Sequence, residues 1–242
     1  MYPTLFRIGS FEITTFGVLV AAGALVGLWL LRRELQRRGL PESAETAALT
    51  GVIGGLVGAK LLWTIEHLGE EPFAGMLFSR GGMSWFGGLL GGVATGLFVL
   101  RRQRTPILAV LAAATPALAI GHAIGRVGCF MVGDDYGRVS DLPWAVAFPK
   151  GLPPTDDPVH PTQLYEALAL LPIAWMLTRL RRRGVGDAVV LGVYLISVGA
   201  LRFAIEFLRI NERVLGPFTL AHLISLGLVL AGGVLVLRAR RD

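Results

Sequence analysis

Seven apolar segments, separated by polar connections, constrain what this chain of 242 residues can fold into. A transmembrane helix needs about 20 predominantly apolar residues, with a range of ~17–25. The segments fall within that range, at residues 13–31, 46–64, 84–100, 106–125, 163–180, 188–208 and 218–237. Only 17% of the residues are charged, against about 25% in a typical soluble domain. We therefore expect an all-α membrane protein with seven transmembrane helices, forming a single polytopic domain over residues 1–242.

Charged residues alternate in sign from one connection to the next. Arginines follow the first, third, fifth and seventh segments, at Arg32, Arg33, Arg37, Arg38, Arg101, Arg102, Arg104, Arg179, Arg181, Arg182, Arg183, Arg238, Arg240 and Arg241. Acids mark the other connections, at Glu66, Glu70, Glu71, Asp134, Asp135, Asp141, Asp156 and Asp157. Because cytoplasmic loops carry excess lysine and arginine, this pattern predicts an outer N-terminus and a cytoplasmic C-terminus. The same pattern explains the net charge of +6, so we expect no nucleic-acid partner.

One polar gap is much longer than the others and runs from Arg126 to Thr162. It follows the fourth apolar segment, so the orientation above predicts a long outer loop between the fourth and fifth helices. Long irregular connections tend to be functional or disordered. The stretch GHAIGRVGCFMVGDDYGR, residues 121–138, leads into this gap and contains the single cysteine of the chain. One cysteine excludes an internal disulfide and a multi-cysteine metal site, and we expect no metal or other cofactor.

Ionisable residues inside predicted spans are candidates for function, because each costs roughly 2.5–3.5 kcal/mol on insertion scales. They are Lys60, Arg126, Glu166, Arg202 and Glu206. Arg202 and Glu206 are four residues apart on one helix face, where they can form a structural ion pair. Arg126 and Arg202 both lie near the outer ends of their spans. Since arginine binds phosphate through two parallel hydrogen bonds, this placement predicts a phospholipid headgroup site, unless each arginine simply reaches ordinary bilayer phosphates.

Several further polar residues flank this predicted site. His160 lies between two prolines near the membrane surface and is a candidate acid or base. Asp134 and Asp135 form a predicted turn, which is either solvated or provides an acid that orients an arginine or acts as a base. Thr162 is a suitable N-cap for the fifth helix, whose first turns contain Glu166. Cys129 fits the role of a small buried apolar residue better than that of a nucleophile.

Four motifs in order along the chain resemble those of the prolipoprotein diacylglyceryl transferases. They are GGMSWFGGLLGG at 81–92, GRVGCFMVGDDYGR at 125–138, HPTQLYE at 160–166 and RFAIEFLR at 202–209. The resemblance implies a bacterial inner-membrane enzyme that moves the diacylglyceryl group of phosphatidylglycerol to the lipobox cysteine thiol of a lipoprotein precursor, with loss of glycerol 1-phosphate. It thus implies membrane lipids and precursors as partners. The acceptor cysteine belongs to the substrate, so Cys129 is not the nucleophile.

The resemblance also assigns roles to individual residues. Arg126 and Arg202 are expected to hold the lipid phosphate, and Gly137 to form part of the signature turn. Glu166 and Glu206 correspond to the family's intramembrane acids. We therefore expect catalytic roles for Arg126, Arg202, Asp134 and His160, and substrate binding by Arg126, Gly137, Glu166, Glu206 and Arg202.

The chain departs from the family pattern at Phe16, Phe86, Cys129, Val132, Asp134 and Val198. Phe86 stands where a histidine is usual, and Cys129 replaces an asparagine. One interpretation is that other groups activate the thiol, such as His122, His160 or Asp134. A second is a divergent paralogue that uses another acceptor, or that binds or transports a lipid without turnover. A third is an intramembrane hydrolase built on Cys129, and Cys129→Ser would stop only that activity.

Overall fold

The computed structural model describes residues 4–9, 11–70, 72–79 and 82–241. Within them the chain forms eight helices, namely α1 (Thr15–Arg37), α2 (Ser43–Glu66), α3 (Phe73–Phe78), α4 (Trp85–Arg102), α5 (Ile107–Val132), α6 (Thr162–Arg182), α7 (Asp187–Glu206) and α8 (Leu220–Arg238). Every one of the seven predicted apolar segments overlaps a long helix. Glu71, in an acidic connection, and Gly81, the first residue of the GGMSWFGGLLGG motif, lie outside the described residues.

Short antiparallel hairpins occupy three of the connections. They are β1 (Thr4–Ile8) with β2 (Phe11–Thr14), β3 (Val146–Phe148) with β4 (Thr155–Val159), and β5 (Arg213–Leu215) with β6 (Phe218–Thr219). The second hairpin lies in the long polar gap, and the third joins α7 to α8. Each has two strands, so the helices define the architecture.

Five of the described helices, α1, α2, α5, α7 and α8, are long and apolar enough to cross a membrane. This confirms a helical, multi-pass membrane protein. The other two long helices, α4 and α6, carry charges that lower their hydropathy. Helix α4 ends on Arg101 and Arg102, and α6 ends on Arg181 and Arg182. The count of seven crossings and their orientation stay predictions.

The chain divides into two compact units, of which one is Leu31–Val110. In this unit α2 packs closely against α4, because glycines on both helices leave little side-chain bulk between the two backbones. A Cβ atom added at Gly55 would lie 3.2 Å from the carbonyl oxygen of Gly88. Such small-residue contacts are typical of helices that associate in membranes. Lys60 donates to Ser79 over 2.7 Å, and Phe86 lies on α4 with 44% of its surface exposed.

The other unit comprises Met1–Leu30 and Leu111–Asp242. Small and branched side chains from α5, α6 and α7 form its core, at Ala112, Ala119, Ala123, Leu170, Ala174, Leu177 and Val190. Helix α8 packs along α7, where a Cβ atom added at Gly192 would lie 2.7 Å from the carbonyl oxygen of Gly232. A second cluster of Tyr136, Phe148 and Val159 anchors the long polar gap. Every residue of the site described below belongs to this unit.

The predicted start of the long gap was wrong. Helix α5 continues to Val132, so Arg126 lies inside the helix and the irregular segment begins at Gly133. The reason is that the residues after Arg126 are mostly apolar, and glycine is tolerated in membrane helices. The signature motif is therefore divided between a helix, which carries Arg126 and Cys129, and a turn, which carries the two aspartates.

Candidate functional site

Six charged side chains follow one another with alternating sign and form what we call the ion-pair network. Its members, in spatial order, are Glu206, Arg202, Glu166, Arg126, Asp135 and Arg209. The Nη2 atom of Arg202 lies 2.7 Å from Glu206 Oε2, and its Nη1 atom lies 3.8 Å from Glu166 Oε1. Arg126 Nε pairs with Glu166 Oε2, and Arg126 Nη1 lies 2.7 Å from Asp135 Oδ2. Arg209 pairs with Asp135 Oδ1.

Arg126 and Arg202 thus converge on the two oxygens of one carboxylate, that of Glu166. The Glu166 side chain is 2% exposed. A buried carboxylate is costly without a counter-charge, and each charge in this network contacts at least one of opposite sign. Three arginines and three acids give no net charge, so the network satisfies itself while it holds the two guanidinium groups side by side.

Three regions that are distant in the sequence supply these groups. Arg126 comes from α5, Asp135 from the turn after it, and Glu166 from the second turn of α6. Arg202 and Glu206 are one turn apart near the end of α7, where the predicted i, i+4 pair is present. Arg209 follows that helix. The ends of α5, α6 and α7 therefore meet at one side of their shared core.

Gly137 allows the three motifs to approach one another. A Cβ atom at this position would lie 2.6 Å from the carbonyl oxygen of Leu208 and 2.9 Å from the Cβ atom of His160. Its N–H donates to His160 O over 2.9 Å, and the N–H of Arg138 donates to Leu208 O over 2.8 Å. The signature turn is thus hydrogen-bonded on one side to the segment before α6 and on the other to the segment after α7.

The start of α6 holds the aspartate turn by two side-chain hydrogen bonds. Thr162 Oγ1 donates to the carbonyl oxygen of Asp135 over 2.8 Å, and Gln163 Nε2 donates to that of Asp134 over 2.6 Å. Asp135 has a φ angle of +65°, which lies in the left-handed region. The prediction of Thr162 as an N-cap was wrong, because Pro161 takes that position and the Thr162 hydroxyl binds the turn.

The two aspartates of the turn have opposite electrostatic environments. Burial raises the pKa of Asp134, and the neighbouring charge of Asp135 adds to that effect. Burial would also raise the pKa of Asp135, but the guanidinium groups of Arg209 and Arg126 outweigh it and lower that pKa. Asp135 therefore remains an anion that orients two arginines, whereas Asp134 holds its proton more readily and is the better proton acceptor.

Three potential metal ligands lie together at the end of α5. Suitable atoms of Cys129, Asp134 and Asp135 are all within 4.8 Å of one another. However, both carboxylate oxygens of Asp135 already pair with arginines, and Arg126 Nη1 lies 3.6 Å from the sulfur of Cys129. The positive charge at this point is thus supplied by guanidinium groups, and the cluster does not offer three uncommitted ligands.

The predicted histidines lie at the margin of the network. The ring of His160 contacts Tyr165, with 3.4 Å between Nδ1 and the phenol oxygen, and Tyr165 in turn accepts from Trp144 over 2.7 Å. Within the described residues no hydrogen bond or ion pair joins His160 to Arg126, Arg202 or Arg209, although its backbone N–H donates to the carbonyl oxygen of Arg138 over 3.0 Å. His122 lies on α5, one turn before Arg126, with its side chain exposed.

Sequence reasoning missed three contributors. Arg209 belongs to the RFAIEFLR motif, but its pairing with Asp135 depends on the turn geometry. Asn211 and Thr219 both donate to Glu206 Oε1, each over 2.7 Å. The spacing from Arg202 to Arg209, which is two helical turns, was the one signal that could have identified any of them.

A cavity of about 260 Å³ opens beside the network. Its polar lining includes Asp134, Asp135, Arg209 and Asn211, and its apolar lining includes Leu152 and Ile210. A space that combines an apolar wall with charged groups suits a small polar group attached to a hydrocarbon chain.

These features define a multi-pass membrane protein whose helix ends hold paired arginines in a buried, charge-balanced site. Residues 3–238 match the family model described as prolipoprotein diacylglyceryl transferase, and the chain belongs to this family.

Three similar proteins are each named phosphatidylglycerol–prolipoprotein diacylglyceryl transferase. The one from Geobacter sulfurreducens is 34% identical over 244 residues, which cover 95% of this chain and 92% of the relative. The one from Shewanella sp. (strain MR-4) is 31% identical over 262 residues, with 98% and 95% covered. The one from Vibrio cholerae is 31% identical over 246 residues, with 95% and 88% covered.

Proposed function

We propose that this protein transfers the diacylglyceryl group of phosphatidylglycerol to the lipobox cysteine of lipoprotein precursors. The observation that supports this most directly is the convergence of Arg126 and Arg202 on Glu166. It places two guanidinium groups within reach of one anion, at the end of apolar helices, in a member of the transferase family. A lipid phosphate is the anion that such a location provides.

The bonds formed and broken in the transfer balance without a cofactor. The sulfur of the substrate cysteine forms a bond to the glycerol carbon that carries the phosphate, and the carbon–oxygen bond at that carbon breaks. Its electron pair leaves with the phosphate oxygen, so glycerol 1-phosphate departs. Charge grows on this leaving group, and Arg126 and Arg202 stabilise it. One preorganised electrostatic donor is typically worth about 10²–10³ in rate.

The thiol proton must pass to a base before or during this attack. Asp134 is suited to this role, because its raised pKa makes it a better acceptor than an ordinary aspartate and because it lines the cavity. His160 is the second candidate and lies at the adjoining turn. In this proposal Glu166 and Glu206 hold the arginines for the substrate, and Gly137 permits the close packing of the turn.

We further propose that the protein lies in the bacterial inner membrane as one polytopic domain of seven crossings, with the N-terminus outside and the C-terminus in the cytoplasm. The alternating basic and acidic connections support this orientation. The site then faces the outer leaflet, where phosphatidylglycerol and the precursor meet. Its partners are these two substrates and membrane lipids, with no nucleic acid.

A second candidate function is lipid binding or transport without turnover, or transfer to another acceptor. It is favoured by Phe86 and Cys129, which replace the family's usual histidine and asparagine. Complementation of a bacterial strain depleted of its own transferase separates the candidates. Rescue of growth supports the transferase, whereas failure by a correctly inserted protein supports the alternative.

The direct test uses purified protein in liposomes that contain phosphatidylglycerol and a peptide with a lipobox cysteine. We expect the peptide mass to increase by one diacylglyceryl group and glycerol 1-phosphate to appear in equal amount. A peptide with serine in place of the cysteine is the control and should remain unmodified. An unchanged peptide mass with folded protein would exclude the proposed transfer.

A further inference from the structure

A buried polar cluster that includes none of the predicted site residues except Glu206 joins the start of α8 to the ion-pair network. Thr219 and His222 are 5% and 2% exposed. Thr219 Oγ1 lies 2.7 Å from Glu206 Oε1, and Glu206 Oε2 lies 2.7 Å from Arg202 Nη2. A continuous line of contacts therefore runs from His222 through Thr219 and Glu206 to Arg202.

Thr219 contacts both Glu206 and His222 through hydrogen bonds. Ionised Glu206 can only accept, so the Thr219 hydroxyl donates its single hydrogen to Glu206. The backbone N–H of Thr219 donates to His222 Nδ1 over 3.1 Å, and Thr219 Oγ1 lies 3.2 Å from the same nitrogen. Both contacts join Nδ1 to Thr219, so the position of the ring fixes the position of the hydroxyl group.

Packing holds His222 in that position. Its ring lies among Phe203, Phe207 and Phe218, with centroid distances of 4.8, 4.5 and 5.5 Å. Its Nε2 atom is buried and has no hydrogen-bond partner in the part of the chain that the structure describes. The side chain therefore acts through Nδ1, which fixes Thr219 so that the hydroxyl points at Glu206.

We propose that Thr219 and His222 are positioning residues for Arg202: His222 orients Thr219, whose hydroxyl holds Glu206 against the guanidinium group. This inference rests on the proposed function, because it assigns Arg202 to the lipid phosphate. Asn211 donates to the same Glu206 oxygen over 2.7 Å, so two neutral donors and one arginine hold the carboxylate. Without the hydroxyl, Glu206 loses one of these constraints and Arg202 loses its fixed partner.

Thr219 is also the N-cap of α8, in a capping box with His222, and three variants separate capping from positioning. Thr219→Ser retains both the cap and the donor, so we expect activity to be kept. Thr219→Val removes both. Thr219→Gly retains most of the N-cap preference and adds no charge, but it has no hydroxyl group to donate to Glu206. Positioning predicts that the Gly and Val variants both have a lower kcat/KM, whereas a capping role alone predicts that the Gly variant behaves like the Ser variant.

Loss of a hydrogen bond to a charged group corresponds to about tenfold to a hundredfold in rate, if it is expressed fully at the transition state. We expect a reduction of this size in Thr219→Val and Thr219→Gly, measured as lipobox-peptide modification per folded protein in phosphatidylglycerol liposomes. Ser225→Ala is the matched control. Ser225 is buried one turn beyond His222 on α8, and its hydroxyl has no hydrogen-bond partner among the described residues, so its removal should leave the rate unchanged.

His222 gives an independent pair of variants if the Thr219 variants do not fold. His222→Asn keeps an acceptor close to the position of Nδ1, whereas His222→Leu removes it, so we expect higher activity from the Asn variant. Equal activity of these two variants, or of Thr219→Gly and Thr219→Ser, would overturn the positioning role. Absence of transfer by the unmodified protein would instead overturn the proposed function, so the two failures are distinguishable.

Discussion

Both ends of the α6–α7 hairpin contain a buried ion pair, but the two pairs differ in what they connect. At one end Arg181 pairs with Asp187 over 2.5 Å across the short turn that joins the helices. At the other end Glu166 from α6 contacts Arg202 from α7, and the pairing continues to Arg126. The Arg181 side chain is 1% exposed and that of Glu166 is 2% exposed. Burial of charge therefore does not by itself distinguish the two ends.

The difference lies in how far the paired residues are apart in the sequence and in what surrounds them. Arg181 and Asp187 are six residues apart, so a local turn accounts for their contact. The ion-pair network instead joins residues from 126 to 209, and a cavity lined by Asp135 and Arg209 lies beside it. A local pair such as Arg181 with Asp187 stabilises the turn of the hairpin. A network assembled over a long stretch of sequence, next to a cavity, is what a binding site requires.

An arginine-to-lysine substitution should have the largest effect on transfer at Arg126 and no effect at Arg181. Arg126→Lys replaces a planar guanidinium group, which contacts two carboxylates, by an ammonium group that cannot form the same paired hydrogen bonds. We expect peptide modification to fall by about 10²-fold or more, in line with loss of a preorganised donor. Arg181→Lys should leave the rate per folded protein unchanged. Similar losses in both variants would remove the functional distinction between the two ends.

The next largest effect should be a difference in stability between variants of the two aspartates in the signature turn. Asp135→Asn removes the counter-charge of Arg126 and Arg209, so we expect a lower midpoint of heat denaturation in detergent together with reduced transfer. Asp134→Asn removes a carboxylate whose ionised form is disfavoured by burial, so its denaturation midpoint at neutral pH should equal or exceed that of the unmodified protein. A larger loss of stability in Asp134→Asn would contradict this assignment.

The pH dependence follows from the same two groups. Asp134 has a raised pKa, so it protonates first as the pH falls from neutral, and kcat/KM should decline with an apparent pKa above 3.8, the ordinary aspartate value. The stability contributed by Asp135, whose pKa is lowered, is present above 3.8 and is lost only when the pH falls through that lower value. Activity should therefore decline before the fold does. Simultaneous loss of both would contradict the proposed role of Asp134.

Two glycines of the signature motif offer a sharper test of local packing. Gly137→Ala would place a methyl group 2.6 Å from the carbonyl oxygen of Leu208, and such overpacking typically costs about 1–3 kcal/mol. We expect reduced transfer and a lower denaturation midpoint. Gly125→Ala is the control, because a Cβ atom there would meet no atom of the described residues within 4 Å. Tolerance of both changes would show that the turn can move apart from its neighbours.

The smallest effect is expected at Cys129. Its sulfur lies 3.6 Å from Arg126 Nη1 but the side chain is buried, and the acceptor thiol in the proposed reaction belongs to the substrate. Cys129→Ser should therefore transfer at close to the unmodified rate, measured in the same liposome assay. Complete loss of transfer would show that the Cys129 thiol takes part in the reaction, which contradicts this assignment.

Much of the helical framework could be predicted from the sequence, because a long apolar run can only satisfy its backbone in a membrane as a helix. Each predicted segment overlaps a helix in the structure, and the Arg202–Glu206 pair follows from helical spacing alone. The predicted end of α5 was wrong. The charge of Arg126 indicated the start of a loop, whereas the apolar residues that follow it continue the helix to Val132.

The sequence by itself determined that the chain is a helical membrane protein with arginines and acids at particular helix ends, since hydropathy and helical period depend on neighbouring residues. Only the tertiary structure decided that Arg126 and Arg202 share Glu166, that Asp135 rather than Asp134 binds the arginines, and that Thr219 holds Glu206. Those contacts join residues far apart in the chain. They depend on how helix ends meet, which no local pattern specifies.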